Sequence, residues 1–578
     1  MPEEMPSSVA PEVEYVAAPA AFENPLTTTD TERAALPRGG ANVHGSFSIE
    51  TFCDQGSLSL THEDAAGWRD YLNKFSASNF WYADGGVQPW AYYEQYDNWQ
   101  DSYGMDAVMA AYHSGHGGMD ANGVFYVPMG HDWGGLGCTA TSNNMRLGNE
   151  HLRYLFWSTC ESLRVFNGHS PIRTWQPANL GVRMIFGFET TSWDNANYGK
   201  FFWEEWNKGK SFSTAWLDAS WRIAHDQGPT VTACGATQQE AQDRLFNERY
   251  FNGAQASRDW WWWRWYTAAS AARTAQRKLP RELQLANLRP LAASTIEPAR
   301  VADRFGFASD GAGARRDGSF SVRDGERYVA RDASGGLSVR LVMPNQDNHT
   351  PLALGRARGL AEDAIRQFSL DTGNALIFDR AIHAASAGGT TRGSGQLEPT
   401  RTTETIFQFR QLINGVPVIS PGAGTVRVGV DNDGQITRLH SGVREVEELT
   451  ARARTRPPHP LHEGVRPASA PAMPTGPNGV AGGPGALSGN GATGPAAPAG
   501  PAAHDDIDAV LAPAVAQRMR ELMGRGGTIV GVAAVPGTAE IGYDFKGDAA
   551  ELVARKGIEI DFGGGFRKRY WVQTTLFG

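Results

Sequence analysis

The sequence predicts an α/β protein with a mostly parallel sheet flanked by helices in its N-terminal part, followed by α+β modules. Short apolar segments without alternation recur in the first half, which is typical of strands buried on both faces. Segments with apolar residues at helical spacing lie between them. The later segments instead show alternating strands joined by hairpin turn signals, which favours smaller mixed modules there.

Changes in composition divide the 578 residues into folded and unfolded segments. Residues 1–42 are rich in Pro, Ala, Glu and Thr, so we interpret them as a flexible leader. Residues 451–505 are dominated by Pro, Gly, Ala and Ser, which predicts a disordered linker. The remaining segments are a first domain at 43–277, a connector at 278–326, a second domain at 327–450 and a small last domain at 506–578.

The first domain contains most of the 18 tryptophans of the chain. Its predicted buried strands are residues 45–52, 107–112, 154–158 and 182–188. Its predicted helices are residues 63–75, 149–153, 198–208 and 211–225. For the tryptophan run at 260–263, packing of the rings against the sheet is favoured over an exposed platform for sugar or peptide binding.

Turn signals and alternation predict the elements of the two later domains. In the second domain they indicate strands at 337–342, 405–412 and 425–430 and a helix at 357–368. Asn414 with Gly415 is a strong hairpin signal, and residues 431–434 form another. The last domain is predicted to hold a helix at 507–523 and strands at 528–534, 539–545 and 570–575.

Charge and hydropathy exclude several classes of function. The net charge of −9 argues against a nucleic-acid partner, because no broad basic face is available for phosphates. No apolar run reaches the roughly 20 residues of a transmembrane segment. The acidic N-terminus lacks the features of a secretory signal, so we expect a cytoplasmic protein, or a secreted one whose signal peptide has been removed. The four cysteines are widely spaced, which suits buried or catalytic thiols better than a disulfide scaffold.

Two strand ends carry the residue types of nucleophilic catalysis. The segment 107–112 runs into a glycine-rich turn with His116 and Gly117, and the segment 154–158 runs into Cys160. Neighbouring parallel strands would bring both ends to one edge of the sheet, where open α/β folds bind ligands. A thiol beside an imidazole becomes a nucleophilic thiolate. The backbone N–H groups of Gly117 and Cys160 are candidates for an oxyanion site.

These elements resemble those of caspase-like cysteine peptidases, the superfamily of caspases, metacaspases and CHAT-domain peptidases. Residues 112–118 are similar to the YSGHGG element of metacaspases with His113 inserted, and residues 157–162 to their strand-to-cysteine element. The segments 181–188, 201–203 and 209–219 resemble the region that follows the cysteine in CHAT-domain peptidases. The resemblance implies a hydrolase with His116 as general base and Cys160 as nucleophile, no cofactor and no metal, and a protein or peptide substrate.

Substrate specificity does not follow from this resemblance. Ser158 stands where metacaspases that cleave after basic residues usually have an aspartate. Our candidates for substrate binding are Ser158, Glu189 and Asp194, and Glu161 with Asp194 could supply negative charge for a basic side chain. An inactive relative of the same fold that binds a partner is the alternative function.

A metal site is the other alternative for the histidine turn. His113 and His116 have an HxxH spacing, and His131, Asp132 and Cys138 follow nearby. The HxxH pair lacks the glutamate of the HExxH helix, and the glycines around it disfavour a helix. We therefore favour a structural role, or a role in supporting the site, for His113.

The second domain has a weaker resemblance of its own. Residues 407–418, followed by 426–434, are similar to the propeptide modules of thermolysin-like and fungalysin-like proteases, which chaperone or inhibit a peptidase. The resemblance implies intramolecular regulation of the peptidase domain by residues 327–450. The predicted protein is therefore a multidomain thiol protease with C-terminal regulatory or targeting modules.

Overall fold

The computed structural model of the chain describes residues 23–26, 42–452 and 507–576, with gaps at 94, 96, 271–274, 276, 281, 290–297, 309–317, 394 and 526–528. Most of the predicted leader and linker lies outside the described residues. The predicted α/β class is confirmed, since a large mixed sheet is combined with helices. No helix in the described part of the chain is both long and apolar enough to cross a membrane.

The described residues of the N-terminal part form ten strands and six α-helices. The strands are β1 (His44–Ser48), β2 (Phe80–Ala83), β3 (Ala110–Ser114), β4 (Gly118–Met119), β5 (Phe125–Pro128), β6 (Thr139–Thr141), β7 (Tyr154–Ser158), β8 (Met184–Phe188), β9 (Pro229–Gly235) and β10 (Trp260–Ala268). The helices are α1 (Thr61–Leu72), α2 (Asp97–Tyr103), α3 (Pro171–Trp175), α4 (Tyr198–Trp206), α5 (Phe212–Ile223) and α6 (Gln238–Asn247).

The later parts are richer in strands. The first group is β11 (Leu283–Leu288), α7 (Pro298–Arg304), β12 (Phe320–Asp324), β13 (Arg327–Arg331), β14 (Leu337–Arg340), α8 (Leu354–Gln367), β15 (Leu376–Thr390), β16 (Gln396–Leu397), β17 (Arg401–Ile413), β18 (Val416–Pro417), β19 (Thr425–Asp431), β20 (Ile436–Ser441) and β21 (Val446–Arg452). The last group is α9 (Ile507–Gly524), β22 (Gly531–Ala534), β23 (Glu540–Lys546), β24 (Ala549–Gly563) and β25 (Phe566–Thr575).

One continuous sheet runs through the first two predicted domains. Its order is β12-β13-β14-β20-β19-β17-β15-β10-β9-β8-β7-β3-β1-β2, and β2, β1, β3, β7 and β8 are parallel. The antiparallel pairing of β10 with β15 joins the two halves. A second sheet combines β21, β11 and the strands of the last module. The predicted connector therefore contributes β11 to this sheet and β12 to the large one.

Two apolar cores lie on opposite faces of the parallel strands. Helices α1, α4, α5 and α6 pack on one face, around Trp68, Phe156 and Trp216. The other face is covered by α3, by β4–β6 and by the last module, whose Phe562 and Phe566 join the core around Trp157. This arrangement follows from strands that are apolar on both faces.

The tryptophan run forms a strand, as the favoured interpretation predicted. The rings of Trp261–Trp263 are buried on both faces of β10 and that of Trp260 is partly buried, and the neighbouring strand β15 makes room for them with glycine. A β-carbon at Gly388 would lie 1.8 Å from the ring of Trp262. The rings therefore join the two halves of the sheet and form no exposed platform.

Two sequence expectations differ from the structure. Residues 149–153 form no helix, because the Asp106 carboxylate accepts the backbone N–H groups of Gly148, Glu150, His151 and Leu152 and holds this segment as a loop. Cys53 and Cys138 are joined in a disulfide, with Cα atoms 5.8 Å apart. This bond ties the loop after β1 to β6, although the spacing of the cysteines favoured free thiols.

Burial keeps several histidines neutral, which makes stability depend on pH. Burial lowers the pKa of His44 to about 4. An unfolded histidine titrates near 6.5, so between these values the unfolded chain binds more protons, and stability falls as the pH drops below about 6.5. We expect His44→Gln to reduce the slope of unfolding free energy against pH by about 1.4 kcal/mol per unit between pH 6 and 5.

Urea unfolding of wild type and His44→Gln across pH 5–8 measures this effect. Above pH 7 the difference between the two proteins should be constant, which provides an internal control. Equal slopes below pH 6 would contradict the expectation.

Candidate active site

The register of two neighbouring strands brings the predicted pair to one edge of the sheet. Strands β3 and β7 are adjacent and parallel, and Ser114 lies opposite Ser158. His116 and Cys160 each follow their strand by two residues. Both side chains therefore lie at the carboxyl ends of adjacent parallel strands, at the edge where the sequence placed them.

His116 is held in one tautomer by a backbone carbonyl. Its Nε2 atom lies 2.9 Å from the carbonyl oxygen of Gly56. A carbonyl only accepts hydrogen bonds, so Nε2 carries the proton and Nδ1 is left as an acceptor. Nδ1 is buried and has no hydrogen-bond partner among the described residues. A neutral imidazole with a bare nitrogen is the form that a general base requires.

The environment of His116 favours the neutral ring strongly. The side chain is fully buried, and burial together with the nearby Lys568 ammonium lowers its pKa to about 3. The Gly56 carbonyl acts in the opposite direction. The ring is therefore unprotonated at neutral pH, chiefly because it is buried and secondarily because Lys568 is close.

The Cys160 thiol contacts the loop after β8 and the last module. Its Sγ atom accepts from the backbone N–H of Ser192 at 3.3 Å and lies 3.5 Å from the Ser192 hydroxyl. The thiol donates to the carbonyl oxygen of Arg567 at 3.2 Å. Only 3% of Cys160 is exposed, because the segment around Arg567, 407 residues away in sequence, covers the sulfur.

The turn after β3 passes very close to the cysteine. A β-carbon at Gly117 would lie 2.8 Å from the carbonyl oxygen of Cys160 and 2.9 Å from the Thr159 side chain. Only glycine fits at this approach. Glu161, directly after the cysteine, has a φ of 54°, so the chain turns sharply at the nucleophile position. The oxyanion role of Gly117 and Cys160 stays a prediction.

The three predicted substrate-binding residues lie in different surroundings. Ser158 hydrogen-bonds Asp64, a buried carboxyl that also accepts from Ser114 and whose pKa burial raises to about 6. Glu189 accepts from the backbone N–H of Val165, and burial raises its pKa to about 7. These two residues therefore bind neighbouring protein groups.

Asp194 is the predicted substrate-binding residue that lies with the cysteine loop. Its carboxylate accepts from the backbone N–H and the hydroxyl of Ser59, at 2.9 and 3.0 Å. Burial raises the pKa of Asp194, and the Lys568 ammonium opposes that rise. Glu161, the other acidic candidate, is half-buried beside Arg164.

The residues of the metal alternative do not come together. His113 lies in the core, with Nδ1 2.7 Å from the Tyr92 hydroxyl and its ring 5.1 Å from that of Trp157. His131 is largely exposed, and Cys138 is bonded to Cys53. Within the described residues, no three His, Cys, Asp or Glu side chains are grouped so that they could hold a metal ion.

Sequence reasoning missed three groups at this site: the Gly56 carbonyl, the Ser192 loop and Lys568. The Lys568 ammonium is buried, and it donates to the carbonyl oxygen of Gly115 at 3.2 Å and to the Ser192 hydroxyl at 3.0 Å. A charged run such as Arg567-Lys568-Arg569 is usually solvated, so the sequence offered no signal for its burial. Residues 327–450 make none of the contacts described above for His116 and Cys160. Besides residues of the first domain, the last module contacts the pair, through Arg567 at the thiol and through Phe562 and Phe566 at the imidazole.

The comparisons with known proteins concern the first part of the chain. A family model described as a domain of unknown function (DUF6345) matches residues 44–266, which extend from the start of β1 into β10. Neither a curated protein nor a solved structure matches the chain.

Proposed function

We propose that this protein is a caspase-like cysteine endopeptidase, with Cys160 as nucleophile and His116 as general base. The observation that carries the proposal is the β3–β7 register, which puts the thiol and the imidazole at the same edge of a parallel sheet. The tautomer of His116 supports it, because the nitrogen that is not bonded to Gly56 is bare.

The proposed reaction uses only groups of the chain and a water molecule. The bare Nδ1 of His116 takes the thiol proton, and the Cys160 thiolate adds to the carbonyl carbon of the scissile peptide bond. The backbone N–H groups of Gly117 and Cys160 stabilise the oxyanion. The peptide C–N bond then breaks, the imidazolium gives its proton to the leaving amine, and water hydrolyses the thioester.

The layered architecture around the pair supports the caspase-like assignment. In the parallel order β2-β1-β3-β7-β8, with α1, α4 and α5 on one face, the loops after β1, β3, β7 and β8 lie at one edge of the sheet. Residues 562–569 of the last module fill the space between these loops, which we call the cleft. Ligands of open α/β sheets bind at such an edge. The cleft suits an extended peptide, because the Ser192–Asp194 loop already pairs with extended backbone.

One observation favours the alternative of a non-catalytic binding protein. His116 is fully buried and Cys160 is 3% exposed, so neither meets solvent with the last module in place. If the site never opens, no substrate reaches the pair, and the protein can act only by binding a partner elsewhere on its surface. A probe that reacts only with a working pair separates the two functions.

The test uses a lysyl acyloxymethyl ketone, an electrophile that alkylates the nucleophile of cysteine peptidases, on full-length protein carrying Lys568→Glu. That substitution removes the Lys568 ammonium, which donates to the Ser192 hydroxyl next to the thiol, and should loosen the segment that covers Cys160. We expect covalent labelling of Cys160, slowed about 10²-fold by His116→Gln, since a positioned base contributes roughly 10²–10⁴-fold. Mass spectrometry of the labelled peptide gives the rate.

The matched control is His113→Gln, which changes the other histidine of the same turn. Its ring lies in the core beside Trp157, so labelling should continue at close to the original rate in the folded variant. Labelling that depends on His113 and not on His116 would overturn the assignment of the base. No labelling of Cys160 by the ketone in a folded variant whose Cys160 reacts readily with iodoacetamide would favour the binding protein.

The disulfide bears on where such a peptidase works. Disulfides persist in oxidising compartments and are rare in the cytosol. The Cys53–Cys138 bond therefore favours the secreted alternative over the cytoplasmic one.

A further inference from the structure

We propose that the cleft binds an extended peptide through a lysine side chain, and that residues 566–569 of the last module are its resident occupant. The inference rests on the proposed function for the role of Cys160. A substrate would have to displace this strand, and the pocket that now holds Lys568 would then hold a lysine of the substrate.

The occupant is bound through its backbone, as an added strand would be. Arg569 forms a parallel bridge with Trp193, its N–H donates to the carbonyl oxygen of Ser192 at 3.3 Å, and its carbonyl accepts from the N–H of Asp194 at 2.8 Å. Addition of extended chain to exposed backbone is a general mode of peptide recognition. The same segment passes over the sulfur, where the Arg567 carbonyl accepts from the thiol.

The Lys568 side chain occupies a pocket built for an ammonium group. Its Nζ donates to the Gly115 carbonyl and the Ser192 hydroxyl, and the buried Asp194 carboxyl interacts with its charge. A buried charge is costly unless partners replace its hydration. Gly115 directly precedes His116 on the loop after β3, and Ser192 and Asp194 lie in the loop after β8, where Ser192 contacts the Cys160 sulfur. The pocket therefore borders both proposed catalytic side chains.

Aromatic side chains of the last module close the site over the histidine. The rings of Phe562 and Phe566 lie 4.9 and 5.7 Å from the ring of His116. A β-carbon at Gly56 would lie 2.1 Å from Phe562, so this ring packs directly on the segment that fixes the tautomer. The covering therefore excludes water from both proposed catalytic side chains.

The occupant is bound in a resting arrangement. The thiol proton is donated to the Arg567 carbonyl oxygen, while Nδ1 of His116 lacks a partner among the described residues. A reacting pair would share that proton instead. The strand therefore blocks the nucleophile and keeps its proton away from the base.

Contacts outside the cleft hold the last module closed. Arg569 pairs with Asp226 at 3.1 Å, Arg525 pairs with Glu50 at 2.5 Å, and the Trp193 and Trp571 rings stack 4.3 Å apart. The ion pairs are partly exposed and are each worth little. Release needs no broken covalent bond, so the equilibrium between closed and open forms can be shifted by one buried substitution.

The variant Lys568→Glu of the full-length protein tests whether residues 566–569 occupy the cleft. The new carboxylate at position 568 would be repelled by the carboxylate of Asp194, which disfavours the closed form. We expect the rate of Cys160 alkylation by iodoacetamide to rise at least about tenfold, corresponding to a comparable increase in the open population. The buried Cys234 is the internal standard for global unfolding. The matched controls are Lys546→Glu, an exposed lysine of the same module, and Arg567→Ala, which keeps the carbonyl that meets the thiol.

Phe566→Ala is the second variant and carries the test if Lys568→Glu unfolds, which rapid alkylation of Cys234 would reveal. If Cys160 in the folded variants is alkylated only at the wild-type rate, the proposal that residues 566–569 cover it is overturned. Faster alkylation without peptide hydrolysis would support the proposal that residues 566–569 cover Cys160 and would contradict the proposed peptidase activity. If the wild-type protein hydrolyses peptides as fast as the variants do, the peptidase activity is supported and the proposal that residues 566–569 block the cleft is contradicted.

The lysine pocket is tested on Lys568→Glu, the variant expected to be open, with two peptides that differ only in having lysine or glutamine at one position. We expect the lysine peptide to protect Cys160 from alkylation at a concentration at least about tenfold lower, since glutamine brings no positive charge to replace that of Lys568 near Asp194. Equal protection by the two peptides overturns the lysine pocket, whether or not either peptide is cleaved.

Discussion

Cys160→Ala in the full-length Lys568→Glu protein should lower peptide hydrolysis by at least about 10³-fold, because removal of a nucleophile from a catalytic group leaves only the contributions of binding and the oxyanion site. The alanine side chain fits the same space, so the fold should persist. Release of a fluorescent group from lysine-containing peptides measures the effect, with circular dichroism as a check of folding.

Cys234→Ala is the matched control for this loss. It is the other free cysteine of the described chain and is also buried, but it lies in β9, where it accepts from the Asn179 side chain. Burial raises the pKa of its thiol well above the ordinary value, so it is unsuited to act as a thiolate. Hydrolysis that survives Cys160→Ala but is lost in Cys234→Ala would reverse the assignment.

The sheet edge with its two side chains could be predicted from sequence for a local reason. Each element is a short apolar strand that ends at a polar residue, and β7 has the bounds that the pattern indicated. Strands β1, β3, β7 and β8 are adjacent and parallel, as strands buried on both faces tend to be. The length of an apolar run and the turn residues that end it are local features, so they indicate where a buried strand stops to within a few residues.

The rest of the site depends on contacts between distant segments. Lys568 is surrounded by charged neighbours and lies in a strand whose partner, β24, was not predicted. Its burial follows from the fit of the ammonium to Gly115 and Ser192, which no local pattern records. The same holds for the Gly56 carbonyl, which becomes a partner of His116 only when the loop after β1 is folded over it.

The division into domains illustrates the same limit. Composition separated residues 43–277 from 327–450, but β10 and β15 pair over nine residues and make one sheet of the two. The linkage needs Gly388 opposite Trp262, a match between segments more than 100 residues apart. Composition indicates which segments of the chain are folded. Which segments share a sheet depends on pairing between residues that are far apart in sequence, and composition does not show this.

Buried ions at this junction should make one substitution strongly destabilising. The Lys210 ammonium lies 2.5 Å from Glu205 and 2.6 Å from Asp218, and all three side chains are at most 8% exposed. Burial alone would raise the pKa of Asp218, but Lys210 and Arg438 hold it well below its usual range. Removing one partner from a buried ionic group leaves uncompensated charge, which costs roughly 3–5 kcal/mol.

We therefore expect Lys210→Met to lower the unfolding free energy by about 3–5 kcal/mol at pH 7. The matched control is Arg358→Met, which removes an exposed partner of Glu362 on α8 and should cost less than about 1 kcal/mol. Urea unfolding followed by tryptophan fluorescence measures both. The stabilisation from Asp218 is present above its unfolded pKa near 4 and is lost as the pH falls through the lower folded value. A loss for Lys210→Met as small as that for Arg358→Met would mean that water reaches this cluster, and that the sheet junction does not depend on its charges.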